Sequence, residues 1–203
     1  MRAAFYEGAG AFRTGDAPRP LPAGDETLLR VRRVGICGTD LHIFQGHLDH
    51  RVPVGGVIGH ETFAEVAEAG PGNGFRAGDR VVVEPLSVCG TCRACRMGAD
   101  YICYGLKVLG VDLPGGMREY WAAPTARLIR VPDALGDDQA AMMEPLAIAV
   151  HDVRRAAVKA DDTVLVFGGG PIGALIALVC RARGARVAVA EVKIGRASCR
   201  ERV

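Results

Sequence analysis

DDTVLVFGGGPIGALIALVCRARGARVAVAEV, residues 161–192, is the stretch that decides the fold of the second half of the chain. It begins with a short run of β-branched and apolar residues and passes into a glycine-rich loop. An apolar segment of helical length follows, ends at Gly184, and leads into a second apolar run. A strand, a crossover helix and a second strand in this order predict a parallel βαβ unit. We therefore predict that residues 146–192 begin an α/β domain.

The loop inside this unit fits the pattern G-x-G-x-x-G with Gly168, Gly170 and Gly173. The first glycine permits a tight turn, the second lets the backbone approach a pyrophosphate, and the third lets the helix pack against the strand. The helix begins near Pro171 and Ile172, where free backbone N–H groups favour phosphate oxygens. The loop therefore predicts a dinucleotide site.

A carboxylate at the end of the second predicted strand indicates which dinucleotide binds. Glu191 lies about 20 residues after the first glycine, the spacing at which an acidic side chain accepts hydrogen bonds from the adenosine ribose. The same carboxylate would repel a 2′-phosphate, so we expect NAD rather than NADP. The alternative is that Glu191 only begins an exposed loop.

Four cysteines follow the spacing C-x2-C-x2-C-x7-C in residues 89–103. This spacing lets one short loop surround a tetrahedral ion, and four thiolates predict a closed, structural zinc site. The four ligands are Cys89, Cys92, Cys95 and Cys103. Two disulfides are the alternative. Because the chain begins on the strand-like residues 1–6 with no secretory signal, we expect a cytoplasmic protein, in which disulfides are rare.

Composition and charge exclude other classes of protein. With 203 residues and 49% hydrophobic content the chain can bury a sizeable core. No apolar run approaches the roughly 20 residues that a membrane span needs. A net charge of +2 without a basic stripe argues against a nucleic-acid-binding zinc ribbon.

Short β-branched runs separated by glycine and proline occupy residues 1 to about 130 and predict an antiparallel or mixed β domain. Residues 133–156 then change to helical periodicity, with acidic residues first and arginines last. The last segment, residues 193–203, is different. IGRASCRERV resembles a translated sequencing-library adapter, so we expect a non-native tail and leave it out of the fold prediction.

A second set of metal-type side chains stands apart from the quartet: Cys37 in GICGTDLH, His60 and Glu61 in GHE, and Glu144 in MMEPLAIAVH. With these motifs, the quartet and the glycine loop in one order, residues 1–192 resemble the zinc-dependent medium-chain alcohol and polyol dehydrogenases. The chain is most similar to the branch of sorbitol, threonine and butanediol dehydrogenases. That branch has glutamate, here Glu144, where the alcohol dehydrogenases use a cysteine ligand.

The resemblance implies a β-rich GroES-like catalytic domain over residues 1–145, followed by a truncated Rossmann domain. It implies two zinc ions per chain. Cys37 and His60 would bind the catalytic zinc with Glu61 as a direct ligand, and Glu144 would meet the metal directly or through its water. Because Glu61 and Glu144 alternate as ligands in the branch, the resemblance does not fix which one is bonded.

The resemblance also implies a proton relay. Thr39 would take the proton of the alcohol and His42 would pass it to solvent, while turn capping and a helix-surface position are the respective alternatives. His47 and His50 are expected to be loop residues.

The resemblance therefore predicts hydride transfer from a secondary alcohol or polyol to NAD by a homodimer or homotetramer. A non-catalytic zinc-stapled module and a zinc-free quinone reductase relative are the alternatives. Because a doubly wound sheet has about six strands and this chain supplies two, we expect residues 1–203 alone to bind zinc without turnover.

Overall fold

The computed structural model describes residues 1–70 and 74–193. The chain forms two compact units, Met1–Met142 and the segment that begins at Met143. Apart from Lys193, the predicted tail lies outside the described residues. Within the described part, no helix is both long and apolar enough to cross a membrane.

The first unit is built on an antiparallel sheet of five strands. In spatial order the strands are β8 Tyr120–Pro124, β3 Glu26–Gly35, β4 Glu61–Glu68, β5 Arg80–Val83 and β9 Leu128–Arg130. The β-branched runs of the sequence form these strands, because successive side chains of a strand point to opposite faces and every second one can be buried. Leu29, Val66, Val81 and Trp121 form the core on that face, with at most 3% of each residue exposed.

The register between β3 and β4 decides which segments meet at one end of this sheet. Gly35, the last residue of β3, pairs with Glu61, the first residue of β4. Because the strands are antiparallel, the chain that leaves β3 lies beside the chain that enters β4. Cys37 and His60 lie on these two segments.

A second core lies beside the sheet. Strands β1 Arg2–Tyr6 and β2 Phe12–Asp16 form an antiparallel pair, and helix α1 spans Gly38–Phe44. Tyr6, Ile43 and Ile58 are buried together there, at 0–1% exposure. Helix α1 is therefore fixed by its buried Ile43.

A small lobe, residues 86–108, extends from the first unit. It contains β6 Leu86–Ser87, α2 Arg93–Arg96, a 3₁₀ turn at Asp100–Ile102 and β7 Lys107–Val108, and β6 pairs with β7. Its large apolar side chains are mostly exposed, for example Met97 at 69% and Tyr104 at 75%. The lobe therefore has little apolar core of its own.

The second unit contains α4 Met143–Arg155, β10 Thr163–Phe167, α5 Pro171–Ala182 and β11 Arg186–Ala190. Strands β10 and β11 are parallel, in register from Thr163 with Arg186 to Phe167 with Ala190. Val153 of α4 and Cys180 of α5 are both buried in its core. A β-rich unit followed by the beginning of an α/β unit confirms the predicted fold class.

The helical segment predicted over 133–156 is two helices rather than one. Helix α3 spans Asp137–Ala141, Met142 forms a turn, and α4 follows. Pro145 is the physical reason. A proline has no N–H to donate to the carbonyl of Ala141, and its ring would collide with that carbonyl in a continuous helix. In the first turn of a new helix the missing N–H costs nothing.

Candidate functional site

The cysteine quartet is assembled in the small lobe. The Sγ atoms of Cys92 and Cys95 are 3.5 Å apart, as are those of Cys89 and Cys103, and two further Sγ pairs are 4.0 Å apart. A disulfide needs about 2.05 Å, so these sulfurs are not paired covalently. Four sulfurs about 2.3 Å from a central zinc would form a tetrahedron with edges of about 3.8 Å. The observed spacing therefore fits a closed zinc site.

Backbone N–H groups point at the sulfurs of this cluster. The N–H of Cys92 donates to Cys89 Sγ and the N–H of Cys89 donates to Cys103 Sγ, each at 3.3 Å. Backbone donation, first from Thr91, lowers the pKa of Cys89 to about 6. Burial and the neighbouring thiols raise the pKa of Cys95 to about 12. The Cys95 thiol thus resists losing its proton beside the more acidic Cys89, and a divalent cation among the sulfurs would favour its thiolate form.

A second group lies where β3 and β4 meet. The metal-binding atoms of Cys37, His60 and Glu61 all lie within 4.8 Å of one another. His60 and Glu61 are 7% and 8% exposed, and Cys37 is half-buried. The fit is close, because a Cβ on Gly35 would lie 2.1 Å from Glu61 Oε2. Only glycine admits the carboxylate there.

Sequence reasoning missed one member of this site, Asp40. Its Oδ2 accepts a hydrogen bond from the Cys37 N–H at 2.8 Å, and its Oδ1 lies 3.7 Å from His60 Nδ1. A signal was available, since an acidic side chain at the third position of a helix commonly accepts from the backbone N–H before the first turn. Asp40 therefore holds the backbone of Cys37 and places a carboxylate beside the ring of His60, beyond hydrogen-bond distance.

The electrostatics of this group call for a cation. Burial raises the pKa of Asp40, opposed by the Cys37 N–H and by His60. Burial also raises the pKa of Glu61; His60 opposes that shift and Asp40 adds to it. Contact with the His60 side chain lowers the pKa of the Cys37 thiol although its partial burial works the other way. One thiol, one imidazole and one carboxylate are zinc ligands, and three protein ligands leave a position open.

The two predicted relay residues lie on helix α1. Thr39 Oγ1 is 3.7 Å from Cys37 Sγ, so its hydroxyl lies beside the metal group. His42 is three residues further along, on the same side of the helix, and it is exposed. Its Nδ1 lies 3.1 Å from His47 Nδ1, a contact that the sequence did not indicate. The other predicted ligand, Glu144, lies in the first turn of α4 in the second unit, and its role stays a prediction.

The glycine loop has the geometry that its pattern predicts. Gly168 has φ +94°, a left-handed conformation that favours glycine. A Cβ on Gly173 would lie 1.9 Å from the Gly168 carbonyl oxygen, so the helix approaches the loop as closely as the backbone allows. Helix α5 begins at Pro171 with its first N–H groups directed at the loop. This is the backbone arrangement that receives a phosphate.

Glu191 lies across this loop. Its Oε2 accepts a hydrogen bond from the Gly169 N–H and its Oε1 one from the Lys193 N–H, both at 2.8 Å. The carboxylate therefore sits at the loop, while its role at a ribose stays a prediction.

Comparison with known proteins supports the family suggested by the motifs. Residues 23–133 match the family model of the alcohol dehydrogenase GroES-like domain. The chain is 43% identical over 192 residues to 2-dehydro-3-deoxy-L-galactonate 5-dehydrogenase of Pseudoalteromonas atlantica, a match that covers 94% of this chain and 56% of the relative. The predicted GroES-like character of the first unit is thereby confirmed.

Two solved structures share the fold over almost the whole chain. One, from Escherichia coli, is described as a short chain alcohol dehydrogenase complexed with NADH; it has a TM-score of 0.90 at 36% identity and covers 97% of this chain and 58% of that one. The other, from Sinorhizobium meliloti, is described as a zinc-binding dehydrogenase and is bound to NADP; it has a TM-score of 0.90 at 32% identity and covers 96% and 57%. The chain thus spans little more than half the length of the proteins it matches.

Proposed function

Because the chain belongs to the alcohol dehydrogenase GroES-like family, we propose that the whole protein is a zinc-dependent dehydrogenase that transfers hydride from a secondary alcohol or polyol to NAD. One observation carries the proposal: Cys37, His60 and Glu61 converge within 4.8 Å at the end of the sheet. A zinc-stapled module, or a zinc-free quinone reductase relative, has no use for a three-ligand group apart from the cysteine quartet.

The chemistry is divided between the bound groups and the chain. Zinc, when bound, lowers the pKa of an alcohol, and NAD, when bound, accepts the hydride. Cys37, His60 and Glu61 would hold the catalytic zinc, and Asp40 fixes the backbone of Cys37 beside them. The Thr39 hydroxyl, beside Cys37, accepts the alcohol proton and passes on its own. His42, one turn along α1, carries that proton to solvent.

The cofactor proposal rests on the second unit. The loop from Gly168 to Gly173, including Gly170, Pro171 and Ile172, would receive the pyrophosphate, and Glu191 would accept from the ribose hydroxyls. Structures with NADH and with NADP both occur among the similar proteins. The carboxylate of Glu191 favours NAD because a 2′-phosphate beside it would be repelled.

The substrate proposal rests on the chemistry of the Pseudoalteromonas relative. Its name places oxidation at carbon 5 of a six-carbon sugar acid, which is a secondary hydroxyl in a chain of hydroxyls. A secondary alcohol or polyol is therefore the class that we propose for this protein.

Several further assignments belong to the same proposal. The catalytic domain is assigned to residues 1–145 and the cofactor domain to 146–192, with Glu144 as the alternate ligand of the catalytic zinc. The quartet would hold the structural zinc. We expect a cytoplasmic protein, because the six cysteines among the described residues are free thiols, as in reducing compartments. We also expect a homodimer or homotetramer, which only the family resemblance suggests. Light scattering of the purified protein measures the oligomeric state.

The test uses the full-length protein, the variant Cys37→Ser and the control Cys180→Ser, whose thiol is buried in α5. NADH formation is followed over a panel of secondary alcohols and polyols, and zinc is measured by elemental analysis. Cys37→Ser should reduce turnover by roughly a hundredfold or more and lower zinc from two ions to one, because an alcohol without the metal keeps its proton. Cys180→Ser should change neither. Unchanged turnover in Cys37→Ser would show that this site is not catalytic.

A further inference from the structure

The segment after helix α1 folds back so that two histidines meet. Gly46 has φ +79°, its N–H donates to the Ile43 carbonyl at 2.9 Å, and the His47 N–H donates to the His42 carbonyl at 3.0 Å. This hydrogen-bond pattern is a Schellman motif, in which the residue after the glycine contacts the residue five positions earlier, usually through apolar side chains. Here both positions are histidine, and their Nδ1 atoms lie 3.1 Å apart.

The return of the chain is fixed on both sides of the pair. A Cβ on Gly46 would lie 2.7 Å from the Ala9 Cβ, so this turn has room only for glycine. Beyond His47, Leu48 packs against the second core, and the Tyr6 hydroxyl donates to the Asp49 carboxylate. The backbone on both sides therefore keeps the exposed ring of His47 beside that of His42.

The contact has a chemical consequence for His42. An imidazole moves a proton by accepting it at one ring nitrogen and releasing another from the second. Because Nδ1 of His42 is engaged by His47, Nε2 is the nitrogen left to receive the proton that the proposed relay takes from Thr39. The proton released from His42 Nδ1 then has an acceptor at hydrogen-bond distance.

We propose that His47 is a positioning residue for His42 and its proton acceptor, so that the relay of the proposed dehydrogenase has three members. The inference rests on the proposed function. The proton enters at His42 Nε2, the proton on His42 Nδ1 passes to His47 Nδ1, and His47 releases the proton on its Nε2 to water. One proton reaches solvent and neither ring changes its net charge. Because both rings are exposed, exchange with water restores their starting tautomers.

The first test measures turnover of the full-length zinc- and NAD-loaded protein with and without added imidazole. In His47→Gln the amide can still hydrogen-bond to His42, but it cannot carry a proton. Turnover should fall by about tenfold, less than for loss of a direct acid or base, because His42 can still release protons slowly to water. Added imidazole should restore it. The control is His50→Gln, an exposed histidine three residues further along, which should behave as the unaltered protein.

The second test needs neither alcohol nor NAD. Nitrogen-15 NMR of the ring reports which nitrogen of neutral His42 carries the proton. His47→Ala should move His42 from the Nδ1–H form, which donates to His47, toward the Nε2–H form that an unpaired imidazole prefers, whereas His50→Ala should not. An unchanged tautomer would overturn the pair itself.

The outcomes separate this inference from the proposed function. If the unaltered protein turns over and His47→Gln equals His50→Gln, or if imidazole fails to restore a loss, the relay role of His47 is overturned and the dehydrogenase stands. If the unaltered protein oxidises no alcohol, both are overturned, whatever tautomer His42 adopts.

Discussion

Replacing Cys92 by serine should remove one zinc ion and loosen the lobe of residues 86–108. The Cys92 sulfur lies 3.5 Å from that of Cys95 and 4.0 Å from that of Cys103, so it is one of the four corners of the thiol cluster. A serine hydroxyl is a much poorer zinc ligand at neutral pH because it keeps its proton. Three remaining thiolates would bind the ion weakly and leave it open to water.

The expected loss of stability is large because few other interactions stabilise the lobe. Ala94 and Cys103 are the two buried residues between 86 and 108, so the ion takes the place of an apolar core. Closing a loop of about 15 residues by a cross-link stabilises a fold by roughly 3 kcal/mol. For a unit of about 140 residues each kcal/mol moves Tm by about 3 °C, so Tm should fall by roughly 10 °C.

The assay combines elemental analysis, thermal unfolding and limited proteolysis with trypsin. Zinc should fall from two ions per chain to one, and cleavage should appear at Arg93 and Arg96, both in α2 of the lobe. Cys180→Ser is the control for the zinc count, since Cys180 lies in α5 and outside both metal groups. Two zinc ions per chain in Cys92→Ser, or a Tm unchanged after the ion is lost, would refute the assignment of the lobe as a zinc-dependent structure.

Three further predictions concern the loop, the cofactor and pH. Gly173→Ala should weaken NADH binding by at least about tenfold in a fluorescence titration. The Cβ of the new alanine would lie 1.9 Å from the Gly168 carbonyl oxygen and would push helix α5 away from the glycine loop. Glu191→Ala should shift the ratio of steady-state rates toward NADP; a native protein that prefers NADP would contradict the interpretation of this carboxylate. Asp112 is paired with Arg51 at 2.7 Å, which holds its pKa below the ordinary value. A lowered pKa stabilises the fold above the ordinary carboxyl pKa, and the effect is lost as pH falls through the lowered value. Asp112→Asn should therefore lower the free energy of unfolding by about 1 kcal/mol at neutral pH and leave it unchanged in strong acid, as measured by urea denaturation at both pH values.

The sequence was sufficient wherever a local pattern determines the structure. The glycine loop is an example, because its turn and its close helix contact depend on residues within six positions of one another. The long β-branched strands are another, since alternation marks a buried face. Strand β2, Phe12–Asp16, was missed because its residues are mostly exposed and carry no such pattern. It is a strand only because β1 pairs with it along its whole length.

The metal group could be predicted in part. Its ligands were found through a family resemblance, not through spacing, because Cys37 and His60 are separated by 23 positions and meet only through the register of β3 and β4. Asp40 was missed although it carried a helix-capping signal. The contact of His42 with His47 could not be predicted, since it depends on the turn at Gly46 and on the packing of the chain beyond it.

The metal group, Cys37, His60 and Glu61 with Asp40, also contains buried charges that destabilise the fold when no ion is bound. Two buried carboxylates, Asp40 and Glu61, lie with a thiol around His60, and burial raises the pKa of both. Removing such groups from water costs free energy unless an opposite charge compensates. The surrounding structure nevertheless forces them together, through the Gly35–Glu61 pairing and the buried Ile43 that fixes α1. A fold that only had to be stable would place apolar side chains here, so the composition of this group is itself an argument for a bound cation and for function.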